Sequence, residues 1–218
     1  FNLRRNFNFP YFSRDIAEFW RRWHISLSTW FRDYLYIPLG GSRGGTWIKV
    51  RNTFIIFIVS GFWHGANWTF IVWGILNAIY FLPLLLTGNN RNNLEIVAKG
   101  KFLPSIKELS LILLTFILTV FAWIFFRAEN ITHAFDYVSE IFSSSLFEIP
   151  KFTDRRNSLI VILLTSIFVF VEWLGREQQF AIQNLGNNWN RPLRHLMYYT
   201  IIIAIFWFGG KEQQFIYF

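Results

Sequence analysis

The chain has no cysteine. Disulfides, thiolate nucleophiles and cysteine-based metal sites are therefore excluded, and cysteine usage says nothing about the redox compartment. Acidic residues are also few, because 13 Asp and Glu stand against 21 Lys and Arg, which leaves a formal net charge of +8. We predict no metal site and no permanently bound cofactor in this chain.

Charged residues of both signs make up only 16% of the sequence, whereas 53% of it is hydrophobic and 21% is aromatic. This composition exceeds what a soluble domain needs for its core and is typical of an integral membrane protein. The basic residues lie beside hydrophobic segments rather than on a soluble face, so anionic lipid headgroups explain them better than nucleic acid does. We therefore expect membrane lipids as partners and no nucleic-acid partner.

Apolar segments that are candidates for membrane spans lie at 53–63, 67–86, 109–126, 158–174 and 196–209. Some are shorter than the roughly 20 residues that cross a bilayer untilted, so tilted or broken helices are expected. Lys and Arg outnumber acids in 1–52, 88–107 and 175–195, but not in 127–157. The positive-inside rule then places 1–52, 88–107 and 175–195 in the cytoplasm, and 127–157 and the C-terminal end outside it. This alternation requires 53–86 to be a hairpin that turns between Gly61 and Asn67.

Between Thr53 and Leu86, His64 stands without any other His, Asp, Glu, Lys or Arg. An ionisable group at bilayer depth is costly, which makes His64 a candidate functional residue. A hydrogen bond to a neighbouring helix, or a place near water at a helix end, is the other interpretation of the same residue.

Residues 14–36 carry aromatic and aliphatic side chains at three- and four-residue spacing, with arginines largely on the opposite face. This pattern predicts one amphipathic helix, capped by Ser13 or Asp15, with Glu18 completing a capping box after Asp15. Its tryptophans and basic face suit a helix that lies in the membrane interface. A surface helix packed against other protein is the alternative.

The segment from Gly40 to Gly45 contains four glycines in six residues and is predicted to be a loop. It can cradle a phosphate through backbone N–H groups and Arg43, or it is a plain connector. It lacks the Gly-Lys-Ser/Thr ending of a nucleotide-binding loop.

Two motifs carry a family resemblance: RDIAEFWRRWHISLSTWFRDYLYIPLGG at 14–41 and GFWHGANW at 61–68. Together they resemble the membrane-bound O-acyltransferase family, most closely its bacterial alginate O-acetyltransferase branch. The stretch AWIFFR at 122–127 and the FGG at 208–210 are also similar to that branch. The resemblance implies the C-terminal half of a multi-helix transmembrane bundle with a central funnel or tunnel. We interpret 1–218 as part of that domain, and because the chain opens at Phe1 without Met, we expect an N-terminal part to precede it.

The resemblance maps the family's invariant histidine onto His64 and a second conserved histidine onto His24. Moving an acyl group from a thioester to a hydroxyl needs a base, and the imidazole pKa lies nearest neutrality, so we expect His64 to be that base. Candidates for stabilising the oxyanion are His24, Asn67 and backbone N–H groups, which the sequence does not rank. Asn67, Arg43 and Trp63 are predicted to contact substrate. Ser60 offers a Ser–His nucleophile as a second interpretation, although no carboxylate lies near it in sequence.

The implied reaction takes place in the cell inner membrane, in a multi-pass protein. We expect an acetyl group to move from acyl-CoA or an acylated carrier on the cytoplasmic side toward an extracytoplasmic polysaccharide, or toward a partner acyltransferase there. Arg21, Arg22, Arg32 and Arg43 are predicted to form a cationic surface that attracts the anionic donor.

Two other functions remain open for the same residues. A proton-coupled transporter would use His64 as a relay, but the sequence shows no paired repeat of the kind that transporters carry. A non-catalytic scaffold would use the basic face to anchor soluble acyltransferases.

Overall fold

The computed structural model describes residues 5–144 and 155–209, and every regular element within them is helical. The chain divides into two compact units, 1–151 and 152–218. The first contains α1 (Ile16–Arg22), α2 (Ile25–Phe31), α3 (Thr46–His64), α4 (Trp68–Leu86), α5 (Ile106–Arg127) and α6 (Ile131–Ile141). The second contains α7 (Arg155–Gly175) and α8 (Arg191–Phe208). The predicted all-α fold is confirmed for the described residues. Gly210, the last residue of the FGG stretch, lies outside them.

Each of the five apolar segments falls within a long helix. Three of these helices, α4, α5 and α7, are long and apolar enough to cross a membrane by length and composition. The other two, α3 and α8, have similar length but are not among the helices whose composition is apolar enough by the same measure. Five crossings therefore stay a prediction, whereas the membrane class of the fold is supported by the three.

The hairpin predicted for 53–86 is present. Helix α3 ends at His64, Gly65 adopts φ 153°, and the side chain of Asn67 caps α4 by accepting from the backbone N–H of Thr69 at 3.0 Å. Two glycines allow the antiparallel helices to pack closely, because a Cβ on Gly61 would collide with the carbonyl of Phe70 and one on Gly74 with the carbonyl of Phe57. The close backbone contact fixes His64 at the end of this helical pair.

The single helix predicted over 14–36 is wrong, because α1 stops at Arg22 and α2 begins at Ile25. Between them Trp23 is extended and His24 is left-handed, with φ 44° and ψ 55°. Residues 6–8 supply the hydrogen bonds at this break: the N–H of Ile25 donates to the carbonyl of Asn6 at 2.9 Å, and the N–H of Asn8 to the carbonyl of Arg22 at 2.9 Å. A π-helical turn, Arg32–Tyr36, follows α2.

Helix α1 packs against protein. The side chain of Asp15 caps it, as one of the two predicted caps, and its residues Ile16, Ala17 and Phe19 are buried. Glu18 is only 1% exposed and accepts hydrogen bonds from Arg22 at 2.7 Å and Arg14 at 3.1 Å. The pairing of both arginines with one buried carboxylate makes α1 a rigid element of the bundle rather than a helix with a free basic face.

The first unit has two ends, a loop end and a turn end. At the loop end, Arg21 of α1 donates to the segment between α4 and α5, and Asn52 of α3 donates to the carbonyl of Gly41 at 3.1 Å. At the turn end, Asn67 donates to the carbonyl of Glu129, just after α5, at 2.8 Å. Parts of 5–52 and of 88–107 thus meet at one end and residue 129 lies at the other, which is the relative arrangement that the loop charges predict.

Candidate functional site

A cavity of about 680 Å³ lies among α1 to α5 of the first unit. Most of its wall area is apolar, although half of the lining residues are polar or ionisable, and an apolar wall with convergent polar groups is the usual make-up of a small-molecule site. The apolar lining residues are Trp20, Trp23, Leu27, Phe31, Ile56, Phe57, Trp73, Phe81, Leu85, Trp123 and Phe126. The polar and ionisable lining residues are His24, Ser28, Arg32, Tyr36, Ser42, Thr53, Ser60, His64, Asn90, Arg91 and Arg127.

The cavity extends along the helices rather than forming a shallow surface dent. Its lining on α4 runs from Trp73 to Leu85, a rise of roughly 18 Å at about 1.5 Å per residue. On α3 it runs in the opposite direction, from Thr53 at the loop end to His64 at the turn end. The shape suits a long, narrow substrate lying parallel to the helix axes.

His64 is the last residue of α3 and its imidazole is half-buried among aromatic rings. The ring meets Phe126 at 4.8 Å and Trp73 at 5.3 Å between centroids, both edge to face, and Trp63 at 5.0 Å. Within the described part of the chain, no side-chain hydrogen bond involves this imidazole. Packing from α4 and α5 therefore orients the ring, while its nitrogens stay available to a substrate.

His24 lines the same cavity from the break between α1 and α2. Its Nδ1 atom is buried and has no hydrogen-bond partner among residues 5–144 and 155–209. A buried polar atom without a partner is costly, and such atoms in native proteins call for an explanation. A substrate group or a water in the cavity would supply the missing partner.

Acidic side chains are missing from the lining that the structure describes, which bears on the Ser60 interpretation. Ser60 lies one helical turn before His64 and lines the same wall. A Ser–His–carboxylate arrangement needs an acid to orient the imidazole. Here aromatic rings surround the imidazole instead, so the arrangement fits a lone base better than a nucleophile triad.

The three residues predicted to contact substrate do not line the cavity. Both functional groups of the Asn67 amide are used structurally, one in capping α4 and one in holding Glu129. Arg43 is exposed in the turn before α3, and Trp63 is 55% exposed beside His64. Their roles in substrate binding stay predictions without support from the cavity geometry.

The predicted cationic surface also differs from the observed one. Arg22 is buried against Glu18, and the guanidinium of Arg21 binds backbone carbonyls of Asn90 and Asn93. Burial is the main cause of a lowered pKa at Arg21, and repulsion from Arg22 and Arg91 adds to it. Arg32 lines the cavity with its Nε bonded to Asp33 at 2.7 Å, and Arg91 lines it as well.

Sequence reasoning missed Arg91, Arg127, Trp73 and Phe126. The first is in a polar linker whose sequence carries no pattern, and only its place beside α1 brings it to the cavity. Phe126 and Arg127 end the AWIFFR segment, which resembles the family but whose sequence predicts no role for either residue. Trp73 lies in the span after His64, where an aromatic residue on a helix looks like ordinary core.

Comparison with known proteins gives consistent matches. The sequence profile of the membrane-bound O-acyltransferase family matches residues 3–126. A Pseudomonas aeruginosa protein named "probable alginate O-acetylase" is 43% identical over 180 residues, which cover 82% of this chain and 32% of that protein. A "probable alginate O-acetylase" of Pseudomonas putida is 34% identical over 220 residues, covering 94% of this chain and 43% of that protein. A peptidoglycan O-acetyltransferase of Helicobacter pylori is 43% identical over 136 residues, covering 62% and 24%.

The chain matches less than half the length of each of these three relatives. The matched family region includes α1 to α4 and α5 up to Phe126, so it contains both histidines and most of the cavity lining.

Proposed function

Because the chain belongs to the membrane-bound O-acyltransferase family, we propose that it is part of a membrane enzyme that transfers an acyl group from a thioester to a hydroxyl group. The acyl group in this proposal is acetyl. His64 acts as the general base in this proposal. His24 acts as the residue that orients the substrate or stabilises the developing negative charge.

One observation supports the proposal: His24 and His64 belong to two motifs that are separate in the sequence, yet both line one elongated cavity with largely apolar walls. Nothing in helix packing alone requires two imidazoles to share a cavity whose described lining has no carboxylate. An apolar site strengthens hydrogen bonds to developing charge, because water is excluded from it. The pair therefore suits a reaction that needs a base and a donor at one place.

The chemical step balances with these residues. The His64 imidazole takes the proton of the acceptor hydroxyl while the hydroxyl oxygen forms a bond to the thioester carbonyl carbon. The carbon–sulfur bond of the tetrahedral intermediate then breaks, and the departing sulfur takes the proton back from the imidazolium. His24, or a water bound to it, donates a hydrogen bond to the carbonyl oxygen as its charge grows.

In this proposal the two substrates approach the cavity from its two ends. We assign the loop end, where Arg32 and Arg91 lie, to an anionic thioester such as acyl-CoA or an acylated carrier on the cytoplasmic side. We assign the turn end, where His64 and Arg127 lie, to the acceptor. The names of the relatives, alginate and peptidoglycan O-acetyltransferases, support an extracytoplasmic polysaccharide or a partner acyltransferase as acceptor.

The test is the ester content of the cell's exported polysaccharide with His64→Ala in the full-length protein. We expect the rate of ester formation to fall by roughly 10²–10⁴-fold, the usual cost of losing a positioned base. The matched control is His133→Ala, which removes an exposed histidine of α6 that is not among the cavity-lining residues. Normal ester levels in the His64 variant, with both variants equally abundant in the membrane, would overturn the proposal.

The same strains separate the alternative functions. A transporter predicts substrate flux through liposomes without any acyl transfer, and a scaffold predicts that ester formation survives loss of His64 as long as soluble partners still bind.

A further inference from the structure

The segment between α4 and α5 forms one wall of the cavity at the loop end. Asn90 and Arg91 of this segment line the cavity, and Arg32 lines it from the π-helical turn after α2. We call this group, Arg32, Asn90 and Arg91, the loop-end mouth. It contains two guanidinium groups and one amide. The part of the cavity lining that the structure describes contains no acidic residue.

Helix α1 holds this segment by its backbone. The guanidinium of Arg21 donates from Nη1 to the carbonyl of Asn90 at 2.7 Å and from Nη2 to the carbonyl of Asn93 at 2.9 Å. The side-chain amide of Asn93 in turn donates to Oδ2 of Asp15 at 2.6 Å. Three hydrogen bonds thus span the short stretch that contains Arg91, one on each side of it from the same guanidinium.

The element that makes these contacts is itself fixed. Asp15 caps α1 through its other carboxylate oxygen, Oδ1, which accepts from the N–H of Glu18 at 2.6 Å. Buried Glu18 binds Arg22 and Arg14, and Arg14 also reaches Glu108 of α5 at 3.5 Å. A guanidinium that forms two hydrogen bonds in a fixed fork restrains its acceptors more than a single flexible donor would.

We propose that Arg91 is an anion-binding residue of the loop-end mouth, that it takes the phosphate of a phosphopantetheine-type thioester donor, and that Arg21 is a positioning residue that fixes Arg91 through the backbone of Asn90 and Asn93. The proposal rests on the proposed function. Phosphopantetheine occurs in both acyl-CoA and acylated carrier proteins, so its phosphate is the chemistry that the two donors share.

Arg21 acts at one remove from the donor. Both of its terminal nitrogens donate to backbone carbonyls, and Arg21 is not among the residues that line the cavity. Arg91 lines the cavity and is exposed there. The effect of losing Arg21 must therefore pass through Arg91.

A double-mutant cycle in the full-length protein tests this relation. Arg21→Ala and Arg91→Ala are measured singly and together, with acetyl-CoA as donor and release of free thiol as the readout. We expect each single change to raise the donor KM about tenfold with little change in kcat, as when binding of a charged group is lost. The double variant should be no worse than Arg91→Ala alone, because residues that act on one contact are non-additive.

Two further measurements make the cycle decisive. Lys107→Ala is the charge-matched control, since it removes an exposed cation at the start of α5 that does not line the cavity; its donor KM should stay at the wild-type value. Acetyl-N-acetylcysteamine, a thioester without phosphate, should be used equally well by wild type and all variants. That result would also show that the variants are folded.

Additive effects of the two substitutions would overturn the proposal. So would equal losses with the neutral thioester, which would mean a general structural role. An acetylated carrier protein run in parallel distinguishes the donors: the one whose KM rises in Arg91→Ala is the one whose phosphate the mouth binds, and a rise for neither also contradicts the proposal. If the wild type releases thiol but the two substitutions are additive, the role assigned to Arg21 and Arg91 fails. The proposed function is then unaffected.

Discussion

His64 is held by aromatic edges instead of a carboxylate, and this decides what the residue can do. Phe126 and Trp73 contact the ring edge to face, which orients it without holding a negative charge beside it. An imidazole in such surroundings favours its neutral form, because an apolar environment disfavours the charged one. A neutral imidazole is the form that accepts a proton.

His24 combines a ring that lines the cavity with a backbone that few residues adopt. Left-handed φ is tolerated by glycine and by asparagine, whereas alanine there is strained. His24→Gly and His24→Asn should therefore keep the break between α1 and α2, while His24→Ala should also lower the thermal midpoint of unfolding in detergent.

We predict that His24→Asn lowers acyl transfer by roughly tenfold, less than His64→Ala, because an amide or a water replaces part of the lost hydrogen bond. Initial rates with each variant at equal thermal midpoint are the measurement. Full activity in both the Gly and the Asn variants would reduce His24 to a residue of packing.

At the scale of elements, the α3–α4 hairpin positions the site through two glycines. The backbone of α4 passes so close to Gly61, and that of α3 so close to Gly74, that an added methyl group meets a main-chain carbonyl. A backbone neighbour cannot rotate away as a side chain does. The helices would have to separate, and His64 would move with them.

Gly61→Ala and Gly74→Ala should each destabilise the protein by about 1–3 kcal/mol, the usual cost of overpacking. Thermal unfolding in detergent is the measurement. Ile79→Ala, a change on the exposed side of α4, is the control and should cost less. Unchanged midpoints in both glycine variants would mean that the hairpin is looser than its backbone contacts indicate.

The hairpin was predictable from the sequence, whereas the broken helix over 14–36 was not. Loop charges and a glycine-containing turn around His64 are local signals, and they sufficed to place the turn between α3 and α4. The break at His24 is accompanied by two backbone hydrogen bonds, one accepted by the carbonyl of Asn6 and one donated by the N–H of Asn8, and no sequence pattern predicts them. Local periodicity predicts a continuous helix there, and a tertiary contact overrides it.

Family motifs identified both histidines, and chemistry gave them roles. Arg32 was predicted from the sequence to lie on a cationic surface that attracts the donor, but Arg91 and Arg127 of the cavity lining were not predicted. Arg22 belongs to an amphipathic pattern and was expected at a surface, yet Glu18 of the same helix binds it in the interior. Arg91 follows no sequence pattern, and Arg21 binds the carbonyls of Asn90 and Asn93 on either side of it. Sequence spacing does not reveal contacts between segments that are far apart in the chain.

At the scale of the whole molecule, the account requires the two ends of the first unit to face opposite sides of the membrane. Cysteines at Asn92, at the loop end, and at Ser144, after α6, should therefore react with an impermeant reagent from opposite sides. The experiment needs a full-length protein without other cysteines. Labelling of both positions from one side would mean that α5, the long helix between them, does not cross the membrane.

The central claim is that His64 is the base for acyl transfer between substrates that reach one cavity from its two ends. Oriented proteoliposomes of the full-length protein test it, with labelled acetyl thioester outside, on the side where Asn92 is labelled, and polysaccharide with any partner acyltransferase sealed inside. The account predicts labelled ester on the enclosed polysaccharide with wild type and His133→Ala, and none above background with His64→Ala. Equal labelling with His64→Ala would contradict it.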